Sequence, residues 1–328
     1  MDTVLVVGAT GQLGAAAVRQ LLARGDCAVR GLVRSSEAKA RLEALGADAA
    51  LGDLTQPAAL LEACQGATHI IATANAAVPS RSTDTFQAVD ATGYHNLIKA
   101  AATTRVRRFI HTSVTDSRCE SAFFNAKRAT EALLRASRLE AVIFQADIFM
   151  DVAFAMMGSG IPVRGAESAT VTRPFAFAHD HFQRMRDSME KRRKAAIPGN
   201  GLKRHGFICI DDVARFLVAA VHRGAAGTYV LGGPEALGFA DVVRIYETIL
   251  GYDLRVSKTP AVVFRALSVL MRPFNPAAAN LMHLNYLAAT EETFPDQRTW
   301  DEFDVRPRQA AQFLRERYAG AAAASAAA

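Results

Sequence analysis

The sequence predicts an α/β fold, a doubly wound parallel sheet followed by a smaller, mostly helical C-terminal lobe. Strand-like and helix-like segments alternate through the first half of the chain, and a glycine-rich loop joins the first strand to the first helix. The alternation loses its regularity near residue 150. Alternating strands and helices form right-handed βαβ units, in which the strands run parallel.

Local patterns assign the individual elements. Short β-branched or apolar runs predict strands, and apolar residues at helical spacing, such as Leu13, Ala17 and Leu21, predict helices. The first-half strands are residues 3–7, 28–33, 47–50, 69–72, 108–112 and 141–144, and the helices are 12–23, 36–45, 85–103 and 120–137. Later helices are predicted at 211–222, 239–250, 260–271, 276–288 and 308–318, and a strand at 228–231.

Composition and charge narrow the class of protein. Half of the 328 residues are hydrophobic, and 38 basic against 32 acidic residues leave a net charge of only +6, so no nucleic-acid partner is expected. The sequence has no basic leader and no apolar run of about 18 residues, so neither a signal peptide nor an integral membrane segment is expected. The four cysteines form no CxxC pair. We therefore expect a cytoplasmic monomer or homodimer without disulfides.

The glycine-rich loop is the strongest local signal. The run VLVVGATGQLG, residues 4–14, puts three glycines between a strand and a helix. Gly8 allows a sharp turn, Gly11 lets the backbone approach a pyrophosphate, and Gly14 lets the helix pack closely. Free N–H groups at the helix N-terminus favour phosphate. The predicted cofactor contacts in the loop are Gly8, Thr10, Gly11, Gln12, Leu13 and Gly14. The alternative is a loop retained without its nucleotide.

The loop predicts that residues 1–150 form a Rossmann-type, NAD(P)-binding domain. Residues 151–318 then form the substrate-binding lobe, together with elements that pack on the Rossmann domain. Residues 319–328 are almost all alanine and have no apolar face to bury, so we expect a disordered tail.

The glycine spacing GxxGxxG resembles the short-chain dehydrogenase/reductase superfamily, more narrowly its atypical NmrA-like and isoflavone-reductase-like branch. Further segments that match are GLVR at 31–34, GDL at 52–54, VDATGYHNLI at 89–98, RRFIHTS at 107–113 and IFMD at 148–151. The resemblance covers about residues 3–250 and implies an NAD(P)-binding fold. It leaves the substrate open, because the branch includes reductases, sensors and assembly factors.

Arg34 predicts a preference for NADPH over NADH. An NAD site usually has an acidic residue at the end of the second strand, and this chain has Arg34 there, 20 residues after Gly14. A guanidinium can pair with a 2′-phosphate in a forked geometry, and Ser35 adds a hydroxyl. The alternative is an arginine that only caps a surface loop. The resemblance also places four residues along the adenosine, namely Asp53, Leu54, Thr73 and Ala74.

Lys127 is the central candidate for catalysis. Typical members of the superfamily use Ser, Tyr and Lys, with the Tyr four residues before the Lys on one helix face. Here Ser113 ends the fifth strand, but Phe123 stands four residues before Lys127. A phenyl ring cannot transfer a proton, so the usual acid is absent. The long helix also carries Asp90 where the superfamily usually has Asn.

Three interpretations stay open. In the first, Lys127 moves the proton itself, as the isoflavone-reductase-like branch implies, because burial against Phe123 and Phe124 would lower its pKa. In the second, Lys127 only holds the nicotinamide ribose, and the acid is one of Tyr94, Asp147, Asp151 and His179. In the third, no hydride is transferred and the bound nucleotide is structural or sensed.

The predicted substrate is a small apolar molecule of aromatic or conjugated character. Phe123, Phe149, Met150 and Phe154 are predicted to line its pocket, although the same pattern fits an ordinary core. The leading prediction is thus an NADPH-dependent reductase. The alternatives are a redox-neutral isomerase or cyclase on the same scaffold, and an NAD(P)-binding regulator or assembly factor.

Two further motifs carry histidines or charged side chains. The sequence His179-Asp180-His181 does not predict a metal site, because residues two apart do not share a helix face. The run Glu190-Lys191-Arg192-Arg193-Lys194 predicts a solvated helix face. A contact with a membrane surface or an acidic substrate is the alternative for that run.

Overall fold

The chain divides into two compact units. The computed structural model describes residues 1–77, 79, 81–115, 117, 120–164 and 185–326. Unit 1 consists of Met1–Ala146, Ile210–Val230 and Arg298–Val305, and unit 2 consists of Asp147–Cys209, Leu231–Gln297 and Arg306–Ala328. His179 and His181 lie outside the described residues, so the structure tests neither of them.

The secondary structure has the following bounds. The strands are β1 Thr3–Val7, β2 Ala28–Val33, β3 Asp48–Leu51, β4 His69–Ala72, β5 Arg108–Val114, β6 Glu140–Ala146, β7 Lys194–Pro198, β8 Gly227–Leu231 and β9 Arg255–Thr259. The helices are α1 Gln12–Arg24, α2 Ser36–Ala44, α3 Pro57–Cys64, α4 Tyr94–Thr103, α5 Ala122–Ala136, α6 Met150–Met156, α7 Ser188–Arg192, α8 Ile210–Ala219, α9 Phe239–Leu250, α10 Ala261–Met271, α11 Pro276–Thr290, α12 Gln297–Phe303 and α13 Ala310–Ala326. A π-helix, Phe86–Gly93, runs directly into α4, and a 3₁₀ turn covers Ile161–Val163.

Unit 1 is built on a seven-stranded sheet, which confirms the predicted doubly wound fold. The strand order is β3-β2-β1-β4-β5-β6-β8, and β1 to β6 pair in parallel. The order reverses between β1 and β4, which is the switch point where such sheets bind ligands beyond the carboxyl ends of their strands. Val4, Leu5, Val6 and Val7 are all buried, because helices cover both faces of a parallel sheet.

The two later segments of unit 1 contribute to its core. Helix α8 packs against α1. The ring of Phe303 in α12 stacks edge-on with Phe144 of β6 and with Tyr229 of β8, each at 4.9 Å. Residues far apart in sequence therefore close one side of the sheet.

Several elements differ from the sequence prediction. The region predicted as one helix, 85–103, begins as the π-helix, and nothing in the residue pattern distinguishes its wider turns from α-helical ones. The sequence also missed α3, α6, α12, β7 and β9, which are short elements with little periodicity. The run 190–194, predicted as a solvated helix face, is helical only up to Arg192, because Arg193 turns to φ +50° and Lys194 begins β7. Helix α13 continues to Ala326, beyond its predicted end at Tyr318, and alanine has the highest helix propensity of all residues.

Unit 2 combines helices with a small parallel sheet. Its two strands, β7 and β9, pair in register from Lys194 with Arg255 to Pro198 with Thr259. The core is largely aromatic, and the ring of Phe154 packs against Phe207 at 5.1 Å. In the part of the chain that the structure describes, no helix is both long and apolar enough to cross a bilayer.

Candidate functional site

The glycine loop leaves no room for side chains at two of its three glycines. Gly8 has φ +90°, which favours glycine, and a Cβ there would stand 2.8 Å from the backbone N of Ala74. A Cβ on Gly14 would stand 2.1 Å from the carbonyl oxygen of Gly8. The N–H of Gly11 donates to that same oxygen at 2.9 Å. The first turn of α1 is therefore folded tightly against the loop.

The N-terminus of α1 has the features of a phosphate cradle. Gly11 is its N-cap and supplies no side-chain hydrogen bond to the first turn, which also contains no acidic residue. Free N–H groups of this kind bind phosphate. Gln12 carries a buried Oε1 without a hydrogen-bond partner among the described residues. Leu13 is buried, whereas Thr10 is exposed at the tip of the loop.

The end of β4 lies directly against the loop. The Thr73 hydroxyl donates to the carbonyl of Val7 at 3.1 Å, and the Ala74 carbonyl accepts the Tyr94 hydroxyl at 2.7 Å. The predicted ribose residues Thr73 and Ala74 thus stand beside Gly8, at the switch point of the sheet. Each of them is also tied into the protein by a hydrogen bond.

Arg34 stands at the end of β2 and makes an ion pair that the sequence did not predict. Its Nη1 donates to Oδ1 and Oδ2 of Asp84 at 2.9 and 3.0 Å, and it lies 3.7 Å from Oδ2 of Asp53. Ser35 caps α2, because its hydroxyl accepts the N–H of Ala38 at 3.2 Å. The Ser35 hydroxyl is therefore engaged with the backbone. Leu54 is buried.

Lys127 is buried inside unit 1, with 4% of its surface exposed. Its Nζ donates to the Thr112 carbonyl at 3.2 Å and lies 3.6 Å from Oδ1 of Asp90. The rings of Tyr94 and Phe123 stand 5.5 and 5.8 Å from it. Helix α5 holds the lysine there through its own buried face, and the hydroxyl of its N-cap, Ser121, accepts the N–H of Phe124. Phe123, which replaces the usual tyrosine, thus lies beside Lys127 as expected.

Burial and charge act in opposite directions on Lys127 and Asp90. Burial lowers the pKa of Lys127, while the nearby Asp90 carboxylate raises it again in part. Burial likewise raises the pKa of Asp90, and the lysine opposes that shift. The backbone N–H of Ala76 also donates to Asp90 at 2.8 Å and favours the carboxylate. Lys127 therefore releases its proton more easily than an exposed lysine does.

Tyr94 lies close to Lys127, but the proton of the Tyr94 hydroxyl is already used in a hydrogen bond. The hydroxyl donates to the Ala74 carbonyl, and full burial raises its pKa well above the ordinary value of 10.0. The ring also packs edge-on against buried His111 at 4.9 Å, and burial lowers the pKa of that histidine. Tyr94 is thus a weaker acid than a tyrosine in water.

Ser113 is turned into a buried polar network. Its hydroxyl donates to Oε1 of Glu131 at 2.5 Å, and Gln145 donates to both oxygens of the same carboxylate. The guanidinium of Arg135 completes the set at 2.6 Å from Oε2. The Ser113 proton is therefore held by Glu131. Lys127, Glu131 and Gln145 also border a small cavity, with Val114, Thr115, Ser117, Phe124 and Arg128 as its other lining residues.

The remaining candidates belong to unit 2. Asp147 is buried and accepts the backbone N–H groups of Ile148 and Gly206 at 2.8 and 2.6 Å; burial raises its pKa. Met150 and Phe154 lie in the core of the unit, and Phe149 precedes α6 as its N-cap. Asp151 is buried 3.5 Å from Nη2 of Arg317. Asp147 and Asp151 are thus tied to neighbours within their own unit.

Three of the residues around these sites were missed by the sequence reasoning. Glu131 stands four residues after Lys127 on the buried face of α5, so the helical spacing that placed Phe123 could also have found it. Asp84 and Gln145 gave no such signal, because their contacts depend on how a loop and a strand end fold against other elements. The described residues include no group of three His, Cys, Asp or Glu side chains placed to hold a metal ion.

Comparison with known proteins places this chain in a family. The model of the NmrA-like family matches residues 1–319. The chain belongs to that family. This confirms the resemblance that the glycine spacing and the matching segments had indicated.

The relatives of the chain have different roles. It is 27% identical over 320 residues to the photosystem II assembly factor Ycf39 of Synechocystis sp., covering 93% of this chain and 86% of that protein. Among solved structures it is similar to the triphenylmethane reductase of Citrobacter sp. complexed with NADP(H), with a TM-score of 0.70 and 16% identity over 96% of this chain and 99% of that one. An NADPH-dependent quinone oxidoreductase from Escherichia coli has a TM-score of 0.69 and 13% identity, with the same coverage. At these identities the structural matches establish the fold.

Proposed function

We propose that unit 1 binds NADPH across the carboxyl ends of β1, β2 and β4. The glycine loop and the uncapped N-terminus of α1 suit the pyrophosphate, and Arg34 is the cation at the end of β2 that a 2′-phosphate could pair with in competition with Asp84. The names of the similar structures, one complexed with NADP(H) and one NADPH-dependent, agree with this choice. NADH is the poorer cofactor in this proposal, because it lacks the phosphate.

The reaction that we propose is the reduction of a small apolar acceptor, aromatic or conjugated, such as a quinone, an enone or an aryl ketone. NADPH, when bound, supplies a hydride. The oxygen of the reduced acceptor then needs a proton, and Lys127 is the residue of unit 1 that can provide it. An ammonium group has three N–H donors. Among the described residues, Thr112 and Asp90 face two of them, which leaves one proton to deliver.

The burial of Lys127, with Thr112 and Asp90 as its polar neighbours among the described residues, is the observation that carries the proposal. The other candidate acids of unit 1 have committed their protons, Tyr94 to the Ala74 carbonyl and Ser113 to Glu131. The lowered pKa of Lys127 makes it a better acid than an ordinary lysine near neutral pH. The ring of Phe123, 5.8 Å from the amine, adds an apolar wall beside it.

A second candidate function is nucleotide binding without turnover, by a regulator or assembly factor. Phe123 favours it, because the superfamily's usual proton donor is missing at that position. The relative named as a photosystem II assembly factor favours it too. In this case Lys127 and Asp90 bind the nucleotide or stabilise the fold, and a partner protein recognises the nucleotide-bound protein.

Turnover assays on Lys127 variants separate these possibilities. NADPH oxidation is followed with a panel of quinones, enones and aryl ketones at saturating cofactor, for the wild type and for Lys127→Met and Lys127→Arg. We expect Lys127→Met to lower kcat by about 10²–10⁴-fold, and arginine not to restore it, because a guanidinium does not release its proton. Lys99→Met changes an exposed lysine of α4 and serves as the matched control.

Each outcome has a defined meaning. Full turnover by Lys127→Met would remove the lysine from the chemistry. A loss confined to NADPH affinity, partly restored by arginine, would assign it to ribose binding alone. NADPH binding by the wild type without oxidation in the presence of any acceptor would favour the assembly-factor function or a redox-neutral reaction.

A further inference from the structure

Helix α10 is apolar on both of its sides. Phe264, Leu267, Ser268 and Met271 recur at helical spacing and are partly or fully covered, and the helix packs against α11. Ser268 is its one buried residue. A helix that packs along one side normally exposes a charged or polar face on the other, and a helix that is apolar all round is normally buried. Helix α10 follows neither rule.

The uncovered side of α10 forms an exposed apolar surface. Val262 and Val269, seven residues apart and therefore on one face, are 69% and 70% exposed. Leu270 is 66% exposed, and Phe274, just beyond the helix, is 84% exposed. Val263 adds to the same surface, which we call the α10 surface. Contiguous exposed apolar residues of this kind mark a site that binds another molecule or a membrane, because their contact with water is unfavourable.

The segment that carries the α10 surface is purely cationic. Residues 254–290 include no Asp or Glu, but they include Arg255, Lys258, Arg265 and Arg272. None of the four side chains forms an ion pair with another of the residues that the structure describes. The partner that covers the α10 surface must therefore offer negative charge next to apolar material.

Two of these cations flank the apolar residues directly. Arg265 stands three residues after Val262 and four before Val269, which makes it their neighbour on the helix. Arg272 repeats the position of Arg265 two turns later. Long arginine side chains beside an apolar strip can reach up to phosphate groups while the strip is buried. This is the arrangement of helices that lie in the plane of a membrane interface.

We propose that the α10 surface docks on an anionic phospholipid bilayer. Val262, Val269, Leu270 and Phe274 enter the boundary between head groups and acyl chains, and Arg265 and Arg272 pair with lipid phosphates. A second copy of the chain fits less well. A two-fold symmetric contact through this surface would bring the cations of both copies together, and residues 254–290 supply no acid to separate them. The proposal does not depend on the reductase function.

Vesicle binding tests the proposal. The full-length chain is sedimented with large vesicles of phosphatidylcholine alone or mixed with phosphatidylglycerol, at low and at high salt. We expect strong binding to the anionic vesicles, weak binding to the neutral ones, and loss of binding at high salt. Arg265→Gln with Arg272→Gln should weaken binding to anionic vesicles about 25-fold, since each cation contributes about fivefold. Val269→Ser with Leu270→Ser should weaken it by about tenfold or more.

Matched variants control for charge, apolar area and folding. Arg19→Gln with Lys99→Gln removes two exposed cations from unit 1, and Leu45→Ser removes an exposed leucine there; neither should change vesicle binding. Thermal melts and NADPH titrations check that every variant is folded. Equal binding to neutral vesicles, or no loss in either α10 variant, would overturn the proposal. A dimer in solution that Val269→Ser with Leu270→Ser dissociates would overturn it as well and assign the surface to a second copy.

Discussion

The ammonium nitrogen of Lys127 lies 3.6 Å from Oδ1 of Asp90, and both side chains are buried. Two charges at this distance attract strongly when water is excluded, but each also loses its hydration. The net result is that the pKa of Lys127 is lower than usual, and the Asp90 carboxylate keeps it from falling further. The protonation of the proposed acid is thus set by a residue on the π-helix.

Replacing Asp90 with asparagine should move the pH profile of the reaction. Asp90 raises the pKa of Lys127, so Asp90→Asn should lower it further. A general acid works only while protonated, and activity is lost as the pH rises through its pKa. We therefore expect the alkaline limb of the kcat profile to shift to lower pH in Asp90→Asn. Rate measurements across the pH range check this, with Asp48→Asn, an exposed carboxylate, as the control. An unmoved alkaline limb would separate Asp90 from the proton transfer.

The sequence predicted the sheet and its glycine loop well for a physical reason. Buried parallel strands such as β1 need uninterrupted apolar runs, and the φ of Gly8 and the crowding at Gly14 require glycine. These are local demands that appear in the residues themselves. The family could be predicted on the same basis, since its pattern is carried by the strand ends and the turns that follow them.

The contacts of the site were harder to predict, because they join elements that are distant in sequence. Arg34 and Asp84 are 50 residues apart, and Ser113 and Gln145 meet only through Glu131. Residue identities show which side chains are present, but not which of them meet. The sequence therefore predicted Arg34 and Ser113 as groups available to ligands, whereas in the structure both are engaged by carboxylates.

Gly14→Ala should disrupt the loop although alanine favours helices. Inside a helix, replacing Gly with Ala ordinarily stabilises by about 0.5–1 kcal/mol. Here the added Cβ would stand 2.1 Å from the Gly8 carbonyl oxygen, so the loop or the helix must move. We expect a lower melting temperature and NADPH binding weakened at least about tenfold, an effect of about 1.4 kcal/mol. Calorimetric titration and thermal melts measure both, with Arg19→Ala on the exposed side of α1 as the control. Unchanged NADPH affinity would exclude the loop as the pyrophosphate site.

Arg34 and Asp84 should set the choice between NADPH and NADH. Both carboxylate oxygens of Asp84 lie within 3.0 Å of Nη1 of Arg34, so a 2′-phosphate must compete with Asp84 for the guanidinium. Removing the competing charge with Asp84→Asn should strengthen NADPH binding about tenfold, or about 1.4 kcal/mol, and affect NADH much less. Arg34→Ala should weaken NADPH binding about 10- to 100-fold, which corresponds to the loss of one charge-assisted pair of about 1.5–3 kcal/mol.

Titrating both cofactors against the wild type, both single variants and the double variant decides whether the two residues act together. If they compete for the same group, Asp84→Asn should have little effect once Arg34 is alanine, so the effects of the two changes will not add. Asp26→Asn removes the same charge at the amino end of β2, where Asp26 pairs with Arg24, and controls for the change in net charge. Equal affinity of the wild type for NADPH and NADH would contradict a 2′-phosphate site at Arg34. If the effects of the two substitutions add, Asp84 influences the cofactor through long-range electrostatics and not through Arg34.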